Sequence, residues 1–145
     1  MSRDQVIAFI EREFPQIHES GRVMVIEEVR PFGARVRMVF SESSIRPGGT
    51  ISGPAMFTLA DFAMYVGVLG AVGPEALAVT TSFNINFLSR PAARDLIADV
   101  RILKLGRRLV VADIELYSDG ETGMVAHATG TYSIPPNNGE RTAVK

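Results

Sequence analysis

Cysteine is missing from all 145 residues, and its absence removes several classes of chemistry. Disulfide bonds, thiolate metal sites and a cysteine nucleophile are excluded. The two histidines, His18 and His127, lie in distant segments, which does not favour a histidine metal site. No Gly-x-Ser-x-Gly sequence is present to carry a hydrolase serine. We therefore expect neither a metal nor a cofactor.

An excess of charge of one sign and a long apolar run are also missing. Fifteen Lys and Arg residues against sixteen Asp and Glu leave a formal charge of −1, which favours neither nucleic acid nor an anionic membrane as a partner. Residues 56–72 fall short of the roughly twenty that a membrane span needs, and they contain Asp61, which costs roughly 3 kcal/mol in lipid. The first fourteen residues carry acidic side chains, unlike a signal peptide. A cytoplasmic protein without nucleic-acid or membrane partners is expected.

The composition, 46% apolar and 21% charged, is that of one globular domain. We expect this domain over residues 1–134 and a flexible C-terminal tail over residues 135–145. Ser2 and Gln5 have the form of a capping box, and apolar residues follow at helical spacing. This pattern predicts a short amphipathic helix over about residues 3–14.

A second helix is predicted over about residues 54–69, because Pro54 suits a first helical turn and the following residues are apolar on almost every side. Residues 41–51 contain Pro-Gly-Gly and predict a loop. Six segments predict strands, namely residues 23–29, 34–40, 78–88, 96–104, 109–117 and 124–133. Short connections join the last four strands, which favours an antiparallel meander. The predicted fold class is α+β, with an antiparallel sheet curled around one long hydrophobic helix.

Asp61 stands in the middle of this apolar helix, where an unpaired carboxylate is costly to bury. No Lys or Arg lies within one or two helical turns of it. Two interpretations are equally open on position alone. In the first, Asp61 lies at an exposed edge of the helix or caps the N–H groups of a neighbouring loop. In the second, it is a catalytic carboxylate at the opening of a site.

The residues around this carboxylate resemble a known signature. Residues 49–61, Gly-Thr-Ile-Ser-Gly-Pro-Ala-Met-Phe-Thr-Leu-Ala-Asp, are similar to a segment of hotdog-fold acyl-CoA thioesterases of the phenylacetate-pathway (PaaI-like) type, in which His-Gly-Gly precedes Leu-Ala-Asp on the hotdog helix. The resemblance continues through residues 86–92, the turn at 106–108 and residues 126–132, and it covers about residues 20–134. It implies a curved antiparallel sheet wrapped around a long central helix, the arrangement that periodicity predicts independently.

The resemblance implies roles for two residues of this segment. The helix Asp of the family acts as general base or nucleophile, and Asp61 matches it. A backbone N–H at the helix start polarises the thioester carbonyl in the family, and Gly53 matches that glycine. Gly53 and Asp61 are eight residues apart, about 12 Å along a helix. One chain therefore does not bring both to a single carbonyl carbon, so the active sites are expected at the interface of a homodimer, with a tetramer left open.

Several positions near the helix start depart from the family pattern or add to it. Ser-Gly-Pro at residues 52–54 replaces His-Gly-Gly, and the upstream Asn of the family aligns with Arg46. By matching these family positions, Ser52 and Arg46 are assigned to substrate binding. The replacement of the family's His and Asn also removes polar groups that orient the thioester carbonyl or the water. A helper hydroxyl on the next strand corresponds to Thr80 or Thr81, and we favour Thr81 as a third catalytic residue.

Four further residues are candidates for contacts to the substrate or to its CoA part, namely Asn84, Arg90, Arg107 and Arg108. The three arginines match positions that bind coenzyme A phosphates in the resembled family, and guanidinium groups suit phosphate geometry. Arginines at turns are otherwise simply solvated. Asn84 either contacts substrate or hydrogen-bonds to neighbouring strands.

These patterns rank three functions. The first is hydrolysis of a small or medium acyl-CoA or an aryl-CoA thioester. The alternative is a hotdog dimer that binds acyl-CoA or another apolar ligand without turnover, which the exchanges at the helix start motivate. A hotdog hydratase or dehydratase ranks last, because no His is placed for its acid–base chemistry.

Overall fold

The structure is a computed structural model that describes residues 1–15, 23–40, 45–46, 50–74 and 78–135. Its two helices are α1 (Arg3–Glu13) and α2 (Gly53–Val72). Its strands are β1 (Met24–Arg30), β2 (Gly33–Met38), β3 (Ile45–Arg46), β4 (Thr50–Ile51), β5 (Val79–Phe87), β6 (Leu96–Leu105), β7 (Leu109–Ser118) and β8 (Met124–Ser133). The short β3–β4 hairpin occupies part of the segment that the sequence predicts as a loop. The expected tail lies almost wholly outside the described residues.

Both helices begin at the caps that the sequence indicates. The capping box of α1 is complete. The Gln5 N–H donates to the Ser2 hydroxyl at 3.2 Å, and the Ser2 N–H donates to the Gln5 side-chain oxygen at 2.8 Å. α2 continues almost one turn past the predicted end because Gly70 remains helical. A Cβ there would lie 2.5 Å from Val29, so this glycine permits close packing of β1. The helix ends instead at Gly73, whose φ of 95° suits glycine.

The main sheet has six antiparallel strands in the order β1-β2-β6-β7-β8-β5. This order corrects the predicted meander, because β5 pairs with β8 while β6 pairs with β2. The eight residues that join β5 to β6 can reach about 26 Å when extended. Three strand spacings amount to only about 14 Å, so the connection spans the intervening strands. As a result β5 lies at the edge of the sheet, alongside β8.

α2 lies against the inner face of the sheet and forms the centre of the core. The inward residues of β2, β6 and β7 are fully buried in alternation, for example Val36, Ala98 and Ile114. α2 alone among the described helices is long and apolar enough to cross a membrane by length and composition, and 67% of its most apolar window is buried within the protein. That burial identifies it as the core helix, and the α+β prediction of a sheet curved around one helix is confirmed.

The outer face of the sheet carries a charged network centred on Arg37. Its guanidinium contacts Glu27 at 2.6 Å, Asp95 at 3.0 Å and Asp119 at 2.9 Å. Arg35 contacts the other oxygen of Glu27 at 3.0 Å. The two arginines therefore occupy the wet face of β2, while the intervening Val36 is buried in the core.

Candidate active site

Asp61 lies in the third turn of α2, facing the strands at one edge of the sheet. The Thr80 hydroxyl on β5 donates to its Oδ1 atom at 2.9 Å. The Tyr132 phenol on β8 donates to the same oxygen at 3.1 Å. No described Lys, Arg or His forms an ion pair with this carboxylate. Among the described residues, Asp61 therefore accepts from no loop N–H and pairs with no base, but it receives two hydroxyl donors from two different strands.

A β-bulge at Thr81 decides which threonine reaches the carboxylate. The β5–β8 register passes from Thr80 directly to Ser82, so no residue of β8 lies directly opposite Thr81 in the ladder. Strict alternation would place Thr80 and Phe83 on opposite faces of β5, whereas the bulge turns both toward α2. Thr81 instead donates its hydroxyl to the Thr131 carbonyl at 3.2 Å. The preference for Thr81 is therefore corrected: the hydroxyl beside Asp61 belongs to Thr80.

Tyr132 is buried, with 4% of its surface exposed, and its ring is held by aromatic neighbours. It stacks on Tyr65 of α2 with ring centroids 6.2 Å apart, and Phe14, after the end of α1, meets Tyr65 edge-on at 6.0 Å. Burial raises the pKa of the Tyr132 phenol well above its usual range, and the nearby Asp61 carboxylate raises it further. The phenol therefore remains protonated at neutral pH and acts as a donor.

The start of α2 carries the second part of the candidate site. The Ser52 hydroxyl accepts from the Ala55 N–H at 3.2 Å, so its side chain serves as the helix cap. Pro54 has no N–H, but Gly53 retains one, and within the described residues nothing accepts from it. A Cβ on Gly53 would lie 3.4 Å from the Phe87 ring, an ordinary contact. The Gly53 N–H is therefore a donor at the positive end of a helix that has no acceptor in the described part of the chain.

Gly53 and Asp61 lie near opposite ends of β5. Gly53 adjoins Phe87, the last residue of the strand, whereas Asp61 binds Thr80, its second residue. Their separation along α2 is about 12 Å. A single chain therefore does not bring the two groups together, as the sequence spacing indicates.

The other predicted contacts are spread over the surface. Asn84 lies on the outer face of β5, where its side-chain oxygen accepts from Asn86 at 3.2 Å, so it does not face Asp61. Arg90, Arg107 and Arg108 are exposed, and their side chains form no ion pair or hydrogen bond within the described chain. Arg46 is placed in β3 by its backbone, but its side chain lies outside the described residues.

Comparison with known proteins identifies the family. A family model described as the thioesterase superfamily matches residues 48–125, more than half of the chain and the part that contains α2 and the strands β5, β6 and β7. The chain belongs to the thioesterase superfamily.

Individual relatives of this thioesterase-superfamily chain agree with that assignment. A crystal structure from Silicibacter sp. TM1040, of a protein named "putative thioesterase", is 44% identical and has a TM-score of 0.84 over 94% of this chain and 93% of that chain. A Saccharolobus solfataricus protein named "Putative esterase" is 28% identical over 139 residues, covering 92% of this chain and 80% of the relative. A mutant of the phenylacetic acid degradation protein PaaI from Thermus thermophilus is 24% identical, with a TM-score of 0.70 over 80% of this chain and 96% of that chain.

These comparisons establish the fold and the general class of the protein. The PaaI structure shares the hotdog fold with this chain, and the thioesterase-superfamily assignment supports acyl thioester hydrolysis as the general activity.

Sequence reasoning missed Tyr132 as a part of this site. The residue lies within the segment 126–132 that resembles the family, but its partner Asp61 is 71 positions away. The sequence offers one indication of this role. A phenol stands at an inward position of the last strand, and a buried phenol needs a hydrogen-bond partner. Only the paired strands show which acceptor that is.

Proposed function

We propose that this protein hydrolyses a small or medium acyl-CoA or an aryl-CoA thioester, with Asp61 as the catalytic carboxylate. The observation that carries the proposal is the arrangement of Asp61 itself. It is a carboxylate in an otherwise apolar helix, held by two hydroxyl donors and without a basic partner in the described chain. A carboxylate that is not engaged in a salt bridge can act on a substrate as a general base or a nucleophile.

Asp61 supports two routes for the same overall reaction. As a general base it takes a proton from water, and the water oxygen bonds to the thioester carbon. The resulting tetrahedral intermediate collapses with cleavage of the carbon–sulfur bond, and the proton passes from Asp61 to the departing thiolate. As a nucleophile its oxygen bonds to the carbon first, expelling the thiolate, and water then hydrolyses the mixed anhydride. Both routes release one free acid and one thiol.

The oxyanion formed in either route requires a hydrogen-bond donor, and the Gly53 N–H of a partner subunit supplies one in this proposal. β5 is an edge strand whose exposed apolar residues include Val79, 56% exposed, and Phe87, 52% exposed. Two copies of β5 that pair antiparallel about a twofold axis near Phe83 would set Thr80 of one subunit opposite Phe87 of the other. That pairing brings Asp61 to the partner subunit's Gly53, which one chain alone does not do.

The same pairing rationalises the scattered arginines. Arg90 follows the end of β5. Arg107 and Arg108 directly precede Leu109 of β7, which is level with the start of β5, because Ser133 of β8 pairs with Leu109 on one side and with Val79 on the other. In a single chain the two groups lie at opposite ends of β5. Antiparallel pairing would set Arg90 of one subunit near the arginine pair of the other. A site shared between subunits thus gathers cations for the phosphates of an intracellular CoA substrate, in keeping with a cytoplasmic homodimer.

The first test is free-thiol release from short, medium, long and aryl acyl-CoAs. The chain contains no cysteine, so every thiol detected comes from coenzyme A. We expect hydrolysis of at least one class by the wild type and a loss of at least about 100-fold in Asp61→Asn, a nearly isosteric exchange that removes the base. A retained melting temperature in Asp61→Asn is the control for folding. Undiminished hydrolysis in this variant would exclude Asp61 as the catalytic carboxylate.

A second function, binding of acyl-CoA without turnover, is favoured by one observation. Where the resembled family has His-Gly-Gly, Ser52 has its oxygen engaged in capping α2, and Pro54 has no N–H. Fewer polar groups are therefore free to orient a carbonyl or a water. Stabilisation of the protein by acyl-CoA without thiol release, equal in wild type and Asp61→Asn, would support this function over hydrolysis.

A further inference from the structure

The two donors to Asp61 converge on one of its two oxygens. Thr80 Oγ1 lies 2.9 Å and the Tyr132 phenol 3.1 Å from Oδ1. The phenol is also 3.4 Å from the Asp61 carbonyl oxygen, too long for more than a weak contact. Within the described residues no group donates to Oδ2. A carboxylate can accept at both oxygens. Both described donors therefore bind Oδ1, and Oδ2 receives none from the described residues.

The two donors come from separate strands and converge on the same oxygen of the carboxylate. Thr80 reaches it from β5 through the bulge, while Tyr132 reaches it from β8. The Tyr132 ring is fixed in turn by its stack on Tyr65, which lies one turn after Asp61 on α2. The phenol oxygen is therefore held in position by the same helix that carries the carboxylate. Reactions of this type depend on such positioning, because small displacements of a reacting atom reduce the rate strongly.

We propose that Tyr132 is a positioning residue for thioester hydrolysis, which together with Thr80 holds Oδ1 of Asp61 so that Oδ2 is the oxygen that acts on water or on the thioester carbon. This inference rests on the proposed hydrolytic function of Asp61. It assigns a role to a residue of the last strand that does not itself touch the substrate.

Apolar side chains surround the core face of α2, and the Tyr132 phenol is the titratable group that the sheet presents to Asp61. The faces that α1, β1, β2, β6 and β7 turn toward α2 are apolar in the described residues. Besides Thr80, which does not titrate, β5 presents Phe83 and Ile85. Tyr132 on β8 thus faces Asp61 from the sheet, and Tyr65 is the titratable group beside it on α2. A protonated Tyr132 stabilises the ionised carboxylate by hydrogen bonding.

The test compares Tyr132→Phe with Tyr117→Phe. The first removes the phenol from Asp61 but retains the ring that stacks on Tyr65. The second removes a phenol bound to another carboxylate, Glu115, on the outer face of β7. We expect kcat for the best acyl-CoA to fall about tenfold in Tyr132→Phe, with KM changed less than about twofold. Tyr117→Phe is expected to match the wild type in both constants.

A double variant separates positioning from general destabilisation. If Tyr132 acts through Asp61, Tyr132→Phe should lower kcat in the wild type but cause no further fall in the Asp61→Asn background. Thr80→Val, at an exposed position, removes the other donor and should lower kcat in the same way. A merely structural loss lowers the amount of active protein in both backgrounds.

The outcomes distinguish the two proposals. A wild type that hydrolyses no acyl-CoA overturns the proposed function and this inference together. An active wild type with unchanged kcat in Tyr132→Phe overturns the inference alone, and so does an equal fall of kcat in the wild-type and Asp61→Asn backgrounds. A fall of kcat in Tyr132→Phe and Thr80→Val but not in Tyr117→Phe, without a further fall in the Asp61→Asn background, supports it.

Discussion

Gly130 on β8 shows how closely the sheet approaches α2 near the candidate site. A Cβ at this position would lie 2.6 Å from the Met64 sulfur and 2.7 Å from the Phe83 ring. Such distances are far inside normal packing contact, so both neighbours would have to move. The absence of a side chain lets β8 lie close under α2, and Tyr132 follows two residues later on the same face of the strand.

Gly130→Ala is therefore expected to lower the free energy of unfolding by about 1–3 kcal/mol, because it overpacks the core. Thermal or urea unfolding measures the change. Gly123→Ala is the control, since a Cβ there meets nothing within 4 Å, and we expect a change below about 0.5 kcal/mol. Equal free energies of unfolding for the two variants would contradict this expectation, because they would mean that Met64 and Phe83 move aside without destabilising the fold.

At the scale of elements, the Arg37 network joins β1 and β2 to the ends of the neighbouring strands. Glu27 belongs to β1, whereas Asp95 precedes β6 and Asp119 follows β7. Hydrogen bonds from Arg37 lower the pKa of both the Glu27 and the Asp119 carboxyl groups below their ordinary values of 4.5 and 3.8. The Arg37 side chain is only 23% exposed, so these contacts are less screened than those of a surface pair.

The lowered pKa values give the network a defined pH dependence. The folded state binds protons at the Glu27 and Asp119 carboxyl groups less readily than the unfolded state does. The contribution of the network to the free energy of unfolding is therefore complete above about pH 4.5 and is lost as the pH falls through the lowered pKa values. Arg37→Met is expected to cost about 1–2 kcal/mol of unfolding free energy at pH 7, and the difference from wild type should narrow below about pH 4.5.

Arg101→Met provides the matched control, since its side chain is 71% exposed and pairs with a single carboxylate, that of Asp113. We expect it to cost less than about 1 kcal/mol at any pH. Urea unfolding of both variants between pH 3 and 7 makes the comparison. A cost of Arg37→Met that does not vary with pH would contradict the electrostatic account.

At the scale of the whole molecule, the described chain is incomplete as a catalyst under the proposed mechanism. The carboxylate lies near the start of the edge strand and the Gly53 N–H near its end. The proposed twofold axis beside the edge strand would convert this separation into two equivalent sites, each with one group from each subunit. Under this proposal, dimerisation is a condition for activity.

Mixing two inactive variants tests the shared site. Asp61→Asn removes the carboxylate, and Gly53→Pro removes the N–H at a helical position where proline is tolerated. Random exchange of equal amounts gives half heterodimers, each with one intact site of two, so about a quarter of wild-type hydrolysis should return. Native mass spectrometry confirms that heterodimers form. No recovery in the presence of heterodimers would place both groups in one chain or exclude one of them.

Local signals determined most of the elements and one member of the site. The capping box of α1, the proline at the start of α2 and the alternation in the strands predicted these elements to within a few residues, because caps and periodicity act over one or two turns. Asp61 stood out for the same reason, as a charge within an apolar helix. Among the helix ends, that of α2 was misplaced, because Gly70 serves packing against Val29.

Tertiary structure alone decided the strand order, the bulge at Thr81 and the partners of Asp61. β5 pairs with β8 rather than with β6, a choice among strands whose sequence patterns all allow pairing. The bulge then selects Thr80 over Thr81, and the pairing sets Tyr132 beside a carboxylate 71 residues away. The sequence by itself determined which segments are helix or strand and where the charge lies, since those depend on near neighbours. Which hydroxyls hold that charge depends on register between distant strands, and register is settled only when the whole sheet closes over α2.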